Sequence, residues 1–139
     1  MIRKASDSDV TRVLEIEGLS FPNPWPRYYF ENALSDFFVV YDDGRVQGYL
    51  VATCREEEQK ATILKVAVHP EARNRGIASA LVQGALDAFR AKGVRNVDLD
   101  VKIVSSGAVK LYEKLGFRIQ RMVTIDSDDT SFYIMQREL

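Results

Sequence analysis

The stretch from Ala61 to Lys92 constrains the fold more than any other part of the chain. Ala61–Val68 is a β-rich apolar run, residues 69–76 are short, polar and basic, and Ile77–Lys92 then turns periodic. Ile77, Leu81, Ala85, Leu86 and Phe89 recur on one helical face, and Gly93 supplies a C-terminal stop. A strand leading through a basic turn into an amphipathic helix must lay that helix back on a sheet, because its apolar stripe needs a surface to cover. Val97, Leu99 and Val101 alternate as the next strand. This order points to an α/β or α+β domain.

The flanking segments read as further parts of the same sheet. Ile2–Ala5 is a short strand; Ser6 and Asp9 have capping-box spacing ahead of a helix carrying Val10, Val13, Leu14 and Glu17. Gly18 loosens its end, and Pro22, Pro24 and Pro26 force an extended connection. Tyr28, Tyr29, Phe30, Ala33 and Leu34 suggest a second, short helix. Phe37–Asp42 and Arg45–Arg55 are strands joined at Asp43-Gly44, and Glu56–Lys60 is a polar turn. Ser106–Leu115 is helical and stops at Gly116; Ile119–Ile125 and Thr130–Gln136 form a last hairpin around Asp126-Ser127-Asp128-Asp129. No linker or repeat divides the chain, which predicts one domain over residues 1–139.

Charge and residue counts remove several function classes. With 19 basic and 20 acidic side chains the net charge is −1, too little for an electrostatic nucleic-acid binder. The charge is uneven, however. Residues 1–60 carry 7 basic and 11 acidic groups, and residues 61–139 carry 12 and 9, so the second half suits a ligand with several negative charges. One cysteine, Cys54, excludes an internal disulfide, and a single His69 excludes a two-histidine metal site. No apolar run is long enough to span a membrane, and Met1 leads straight into Ile-Arg-Lys-Ala without a signal-peptide core, so the expected location is cytoplasmic.

Arg73-Asn74-Arg75-Gly76-Ile77-Ala78 lies where the strand gives way to the helix. Unpaired N–H groups and the helix dipole make such a junction an anion site, and Gly76 permits close approach of a phosphate. The hexamer alone equally fits an ordinary basic helix start capped by Asn74. It is neither a Walker loop nor a three-glycine dinucleotide fingerprint.

Following Val66-Ala67-Val68-His69-Pro70, the pattern Arg-x-x-Gly-x-Ala is similar to the acyl-CoA pyrophosphate motif of the GNAT acetyltransferases. Leu99-Asp100-Val101-Lys102 and Ala108-Val109-Lys110-Leu111-Tyr112-Glu113-Lys114-Leu115-Gly116-Phe117 resemble the segment that closes the CoA site in that family. Phe21-Pro22-Asn23-Pro24-Trp25 most resembles the protein N-terminal acetyltransferases, especially the ribosomal-protein alanine type. The resemblance implies a three-layer α/β (α+β) fold, with a mixed, mostly antiparallel sheet of about seven strands flanked by about four helices.

It further implies transfer of acetyl from acetyl-CoA, without a metal, to the α-amine of a protein N-terminus, a ribosomal protein being one candidate. Backbone groups of Val66, Ala67 and Val68 would bind the pantetheine and thioester carbonyl. Arg73, Arg75, Gly76, Ile77 and Ala78 would hold the pyrophosphate. Asp100 stands where the alanine-type enzymes carry a glutamate base, and it points away from Leu99 and Val101; an exposed strand aspartate fits the same pattern. Tyr112 matches the family's acid for the CoA sulfur, while its apolar helix face also suits a core residue. Ser105 replaces the usual asparagine at a CoA-contacting position, and Asp126-Ser127 replace a tyrosine pair on the substrate-facing hairpin. Neither nucleic acid nor membrane is implied as a partner. Two rivals stay open: a GNAT acetylating a small-molecule amine, and a non-catalytic CoA-binding module.

Overall fold

The computed structural model describes residues 1–125 and 130–139. Its strands are β1 (Ile2–Lys4), β2 (Phe37–Asp42), β3 (Val46–Arg55), β4 (Lys60–Val68), β5 (Asn96–Lys102), β6 (Arg118–Ile125) and β7 (Thr130–Glu138). They form one sheet in the order β1-β2-β3-β4-β5-β7-β6. Every neighbouring pair is antiparallel except β4 and β5, which run parallel. Helices α1 (Val10–Ser20) and α2 (Arg27–Ala33) cover one face; α3 (Ile77–Ala91) and α4 (Ser106–Lys114) cover the other. This is the mixed, mostly antiparallel three-layer arrangement expected from the sequence.

Strand alternation sorts the side chains between two cores. Phe37, Leu50, Ala52, Ala61 and Ile63 face α3 and meet Leu81, Leu86 and Phe89. Phe38, Val40, Tyr49 and Val51 face α1 and α2 and meet Val13, Ile16 and Phe30. Gly48 lets α3 approach closely: a Cβ there would stand 3.0 Å from the Ala67 carbonyl and 3.2 Å from both Ile77 Cγ2 and Leu81 Cδ1. That contact seats the N-terminal turn of α3 against the end of β4.

Ahead of α1, the Asp9 carboxylate accepts from the Ser6 N–H at 2.8 Å and from both terminal nitrogens of Arg3. The Arg3 guanidinium holds the Asp9 carboxyl down to about 2. Most element ends fall within a residue or two of those read from the sequence, and polar segments there read as loops include short 3-10 turns at Glu56–Glu58 and Pro70–Ala72. His69 is a capping residue of the second, its Nδ1 accepting from the Glu71 N–H at 3.1 Å.

One departure matters for the site. β4 is not a continuous alternating strand. Ala52 pairs with Ile63 but Val51 pairs with Lys65, so Leu64 is an extra, bulged residue. Counting by twos from Ala61 and Ile63 would put Lys65 on the α3 face. The bulge turns it to the α1 face instead.

Candidate active site

β4 and β5 pair only at Lys60↔Asn96, Ala61↔Val97 and Thr62↔Asp98. A side-chain bond closes the last rung, Thr62 Oγ1 donating to Asp98 Oδ1 at 2.5 Å. Beyond it the strands part, and a cavity of about 570 Å³ opens between them. Ile63–Val66 form one wall and Leu99–Lys102 the other; Ser105, Ala108 and Tyr112 close one end, and Ser20–Asn23 the other side. Four of the expected residues meet here: Val66, Asp100, Ser105 and Tyr112.

The gap passes through the sheet, so its lining comes from both faces. Leu99 and Val101 are buried on the α3 and α4 side. Asp100, between them, is exposed and faces the other way. Tyr112 packs on the α4 side, edge-on to Phe117 with ring centroids 5.7 Å apart. Burial pushes its phenol up to about 12. It therefore keeps its proton through the neutral and mildly alkaline range, as a proton donor must.

The other expected residues lie beside the cavity rather than in its lining. Ala67, Val68 and Ile77 are buried, so only their backbones are free to meet a ligand. Arg73 turns back, its Nε donating to the Val68 carbonyl at 3.0 Å and a terminal nitrogen to Ser20 Oγ at 3.3 Å. Arg75 reaches the Glu71 carbonyl at 3.2 Å. Gly76 is the N-cap of α3 at φ +78, a left-handed conformation that favours glycine, and a Cβ there would meet nothing within 4 Å. No side chain caps this helix, and its first backbone bond runs from Ala80 to Gly76. The N–H groups of Ile77, Ala78 and Ser79 are thus left for an anion, so the turn fits a pyrophosphate. Asn74, at φ +64, makes no side-chain cap.

Sequence reasoning missed one part of the site altogether. Glu17, read there as an ordinary α1 position, is fully buried. It accepts from the Tyr49 hydroxyl, from the Trp25 N–H at 2.8 Å, and from Lys65 Nζ at 3.0 Å. Burial and the Glu17 carboxylate together push the Tyr49 phenol up. Lys65 lines the cavity with its ammonium 3.6 Å from the Phe21 ring centroid. The available signal was a charge on an otherwise apolar helix stripe. Of the neighbouring aromatics, Phe30 is core, Phe21 and Trp25 pack partly against it, and Tyr28 and Tyr29 are exposed. Cys54 is half-buried, and burial raises its thiol, which suits packing rather than nucleophilic chemistry. The positions expected at Asp126 and Ser127 lie outside the described residues. Among the described residues no helix is long and apolar enough to cross a membrane.

Comparisons with known proteins agree with this fold. Residues 10–117 match the model of the acetyltransferase (GNAT) family. An N-alpha-acetyltransferase of Sulfurisphaera tokodaii is 31% identical over 99% of this chain and 92% of its own length. The crystal structure of Ard1 from Thermoplasma volcanium superposes with a TM-score of 0.91 at 28% identity, covering 100% of this chain and 97% of that one. The ribosomal-protein-S18-alanine N-acetyltransferase of Escherichia coli has the same fold, with a TM-score of 0.88 at 21% identity over 99% of this chain and 92% of its own. With a family model matched over residues 10–117 and a relative aligned over nearly the full length, the chain belongs to the GNAT family of acetyltransferases.

Proposed function

We propose that the protein transfers the acetyl group of acetyl-CoA to the α-amine of a protein N-terminus in the cytoplasm. One observation carries the reading: Asp100 and Tyr112 line one cavity but come from opposite faces of the sheet. Acetyl transfer needs that separation. The C–N bond forms on the side where the amine enters, and the C–S bond breaks on the side of the CoA thiol. A base belongs with the first and an acid with the second.

In this reading Asp100 takes the amine proton, directly or through a water. Tyr112 returns a proton to the departing sulfur. The open edge of β4 binds pantetheine and polarises the thioester carbonyl through the backbones of Val66, Ala67 and Val68. The turn formed by Arg73, Arg75, Gly76, Ile77 and Ala78 receives the pyrophosphate, mainly through backbone N–H groups. Ser105 offers a hydroxyl beside the CoA arm. An α-amine suits a modest base: with a pKa of about 8, roughly a tenth is neutral at pH 7, against under a thousandth of a lysine amine.

The relatives named for N-alpha and ribosomal-protein-alanine acetylation support a polypeptide acceptor, ribosomal proteins among the candidates. The deciding experiment is acetylation of an N-terminal peptide array with acetyl-CoA, run beside a panel of free small amines. Transfer to peptide α-amines supports the reading. Transfer confined to small amines replaces it, and acetyl-CoA binding without transfer to anything reduces the protein to a CoA-binding module.

A further inference from the structure

The connection between α1 and α2 forms the acceptor side of the cleft, since Ser20, Phe21, Pro22 and Asn23 line it. Three prolines keep this segment extended and deny it helical hydrogen bonds of its own. Its fastening comes from elsewhere. The buried Glu17 carboxylate accepts the Trp25 N–H at 2.8 Å, and the same oxygen, Oε2, accepts from Lys65 Nζ at 3.0 Å. The Lys65 ammonium in turn sits 3.6 Å from the centroid of Phe21 and 5.2 Å from that of Trp25. Both ends of the connection therefore converge on one ion pair.

We infer that Lys65 is a positioning residue: paired with buried Glu17, it clamps the Phe21–Trp25 connection against β4 and sets the acceptor half of the cleft. The inference rests on the N-terminal acceptor reading for its kinetic consequence but not for its structural one. A buried carboxylate needs a cation, and only the bulge at Leu64 turns Lys65 toward it. The cation then has a second use, because an ammonium over an aromatic face holds that ring in place. Among the described residues the cofactor turn meets this side through one bond, Arg73 to Ser20 Oγ at 3.3 Å, and no hydrogen bond or ion pair joins it to the Glu17 and Lys65 side chains.

The test uses Trp25, the chain's single tryptophan, as the reporter of the connection. Lys65→Met alone leaves Glu17 buried without its cation, so the informative variant is Glu17→Gln with Lys65→Met. The neutral pair keeps an acceptor for the Trp25 N–H and the stem of the lysine. In the folded double variant, acrylamide quenching of Trp25 fluorescence should rise. Its peptide KM should rise about tenfold, the scale of one hydrogen bond to a charged group, while acetyl-CoA affinity by calorimetry stays within about twofold. Lys65→Arg, which restores a cation beside Glu17, should bring quenching back toward the parent.

Unchanged quenching in the folded double variant overturns the clamp. So does an equal loss of peptide and acetyl-CoA affinity, which would mark the pair as general core structure. Quenching needs no acceptor, so it decides the clamp even if no peptide is acetylated; that result would count against the acceptor reading alone.

Discussion

The two faces of the sheet solve different problems with different chemistry. The core under α3 and α4 is entirely apolar and aromatic, from Phe37 through Leu81, Leu86 and Phe89 to Met135. The core under α1 and α2 holds a buried carboxylate, Glu17, bonded to a phenol, a backbone N–H and an ammonium. The first face presents a helix N-terminus whose N–H groups suit an anion, so backbone geometry alone would supply the site proposed there. The second face borders the proposed acceptor side of the cleft, where no regular element holds the chain. Fixing an irregular segment takes directional bonds, and a buried ion pair supplies them at the cost of desolvation. The contrast predicts that damage to one face should leave the chemistry of the other largely intact.

The largest expected effect is on the cofactor side. Gly76→Glu puts a carboxylate into the open space of the turn, and acetyl-CoA binding should vanish by calorimetry. The fold should persist, because a Cβ at Gly76 meets no atom within 4 Å. The φ of +78 will cost about 1–2 kcal/mol for any L side chain. Gly76→Ala carries that strain without the charge and should still bind. Normal binding by Gly76→Glu would remove the turn from the site and with it the proposed division between faces.

Next in size is Tyr112→Phe. Losing the hydroxyl should lower kcat by roughly 10²- to 10⁴-fold under conditions where chemistry is rate-limiting. Acetyl-CoA affinity and melting temperature should hardly move, since the ring still packs against Phe117. In the parent, ionisation of this group should not depress the rate until the pH nears 12. A rate within about twofold of the parent would make Tyr112 a core residue only, well below the range for a general acid.

These two candidate sites stood out as motifs in the sequence because each is local. Arg73 through Ala78 and the run around Tyr112 bring their chemistry together within a turn or two of chain, so spacing alone places it. The acceptor side was not legible for the opposite reason. Glu17 and Lys65 meet only after β4 has joined the sheet, and Lys65 faces α1 only because Leu64 bulges. Strict alternation from Ala61 and Ile63 assigns it to the wrong face. A one-residue irregularity in register is a tertiary outcome, and it reversed the very side chain that mattered. The Arg73 guanidinium is a milder case: its basic charge reads as a phosphate ligand, yet it bonds Val68 and Ser20.

A smaller effect sharpens the contrast from the stability side. Leu81→Ala removes a fully buried side chain from the α3 core and should destabilise by about 3 kcal/mol in thermal or chemical unfolding. Below the melting transition its peptide KM should match the parent. Together with the Glu17 and Lys65 double variant, this makes a crossed pair: one lowers stability without touching acceptor binding, the other the reverse. If Leu81→Ala also shifts the peptide KM severalfold, the two faces are mechanically coupled and the division fails.

The smallest and most conditional effect belongs to Asp100, which sits at the boundary between the faces. It is exposed on β5, flanked by the buried Leu99 and Val101, and it lines the cleft beyond the last β4–β5 rung. If it accepts the amine proton, its importance depends on how much of the acceptor is still protonated. Asp100→Asn keeps the size and removes the base, so kcat/KM on an N-terminal peptide should fall most well below pH 8, by about tenfold or more. As the pH rises past the α-amine pKa near 8, solvent has already removed the proton, and the mutant should recover toward the parent. The measurement is a pair of pH–rate profiles on one peptide. Equal impairment at every pH would mean that Asp100 shapes the cleft without moving a proton. No impairment at any pH would leave it an ordinary strand residue, and the amine side of the cleft would need no base from this chain.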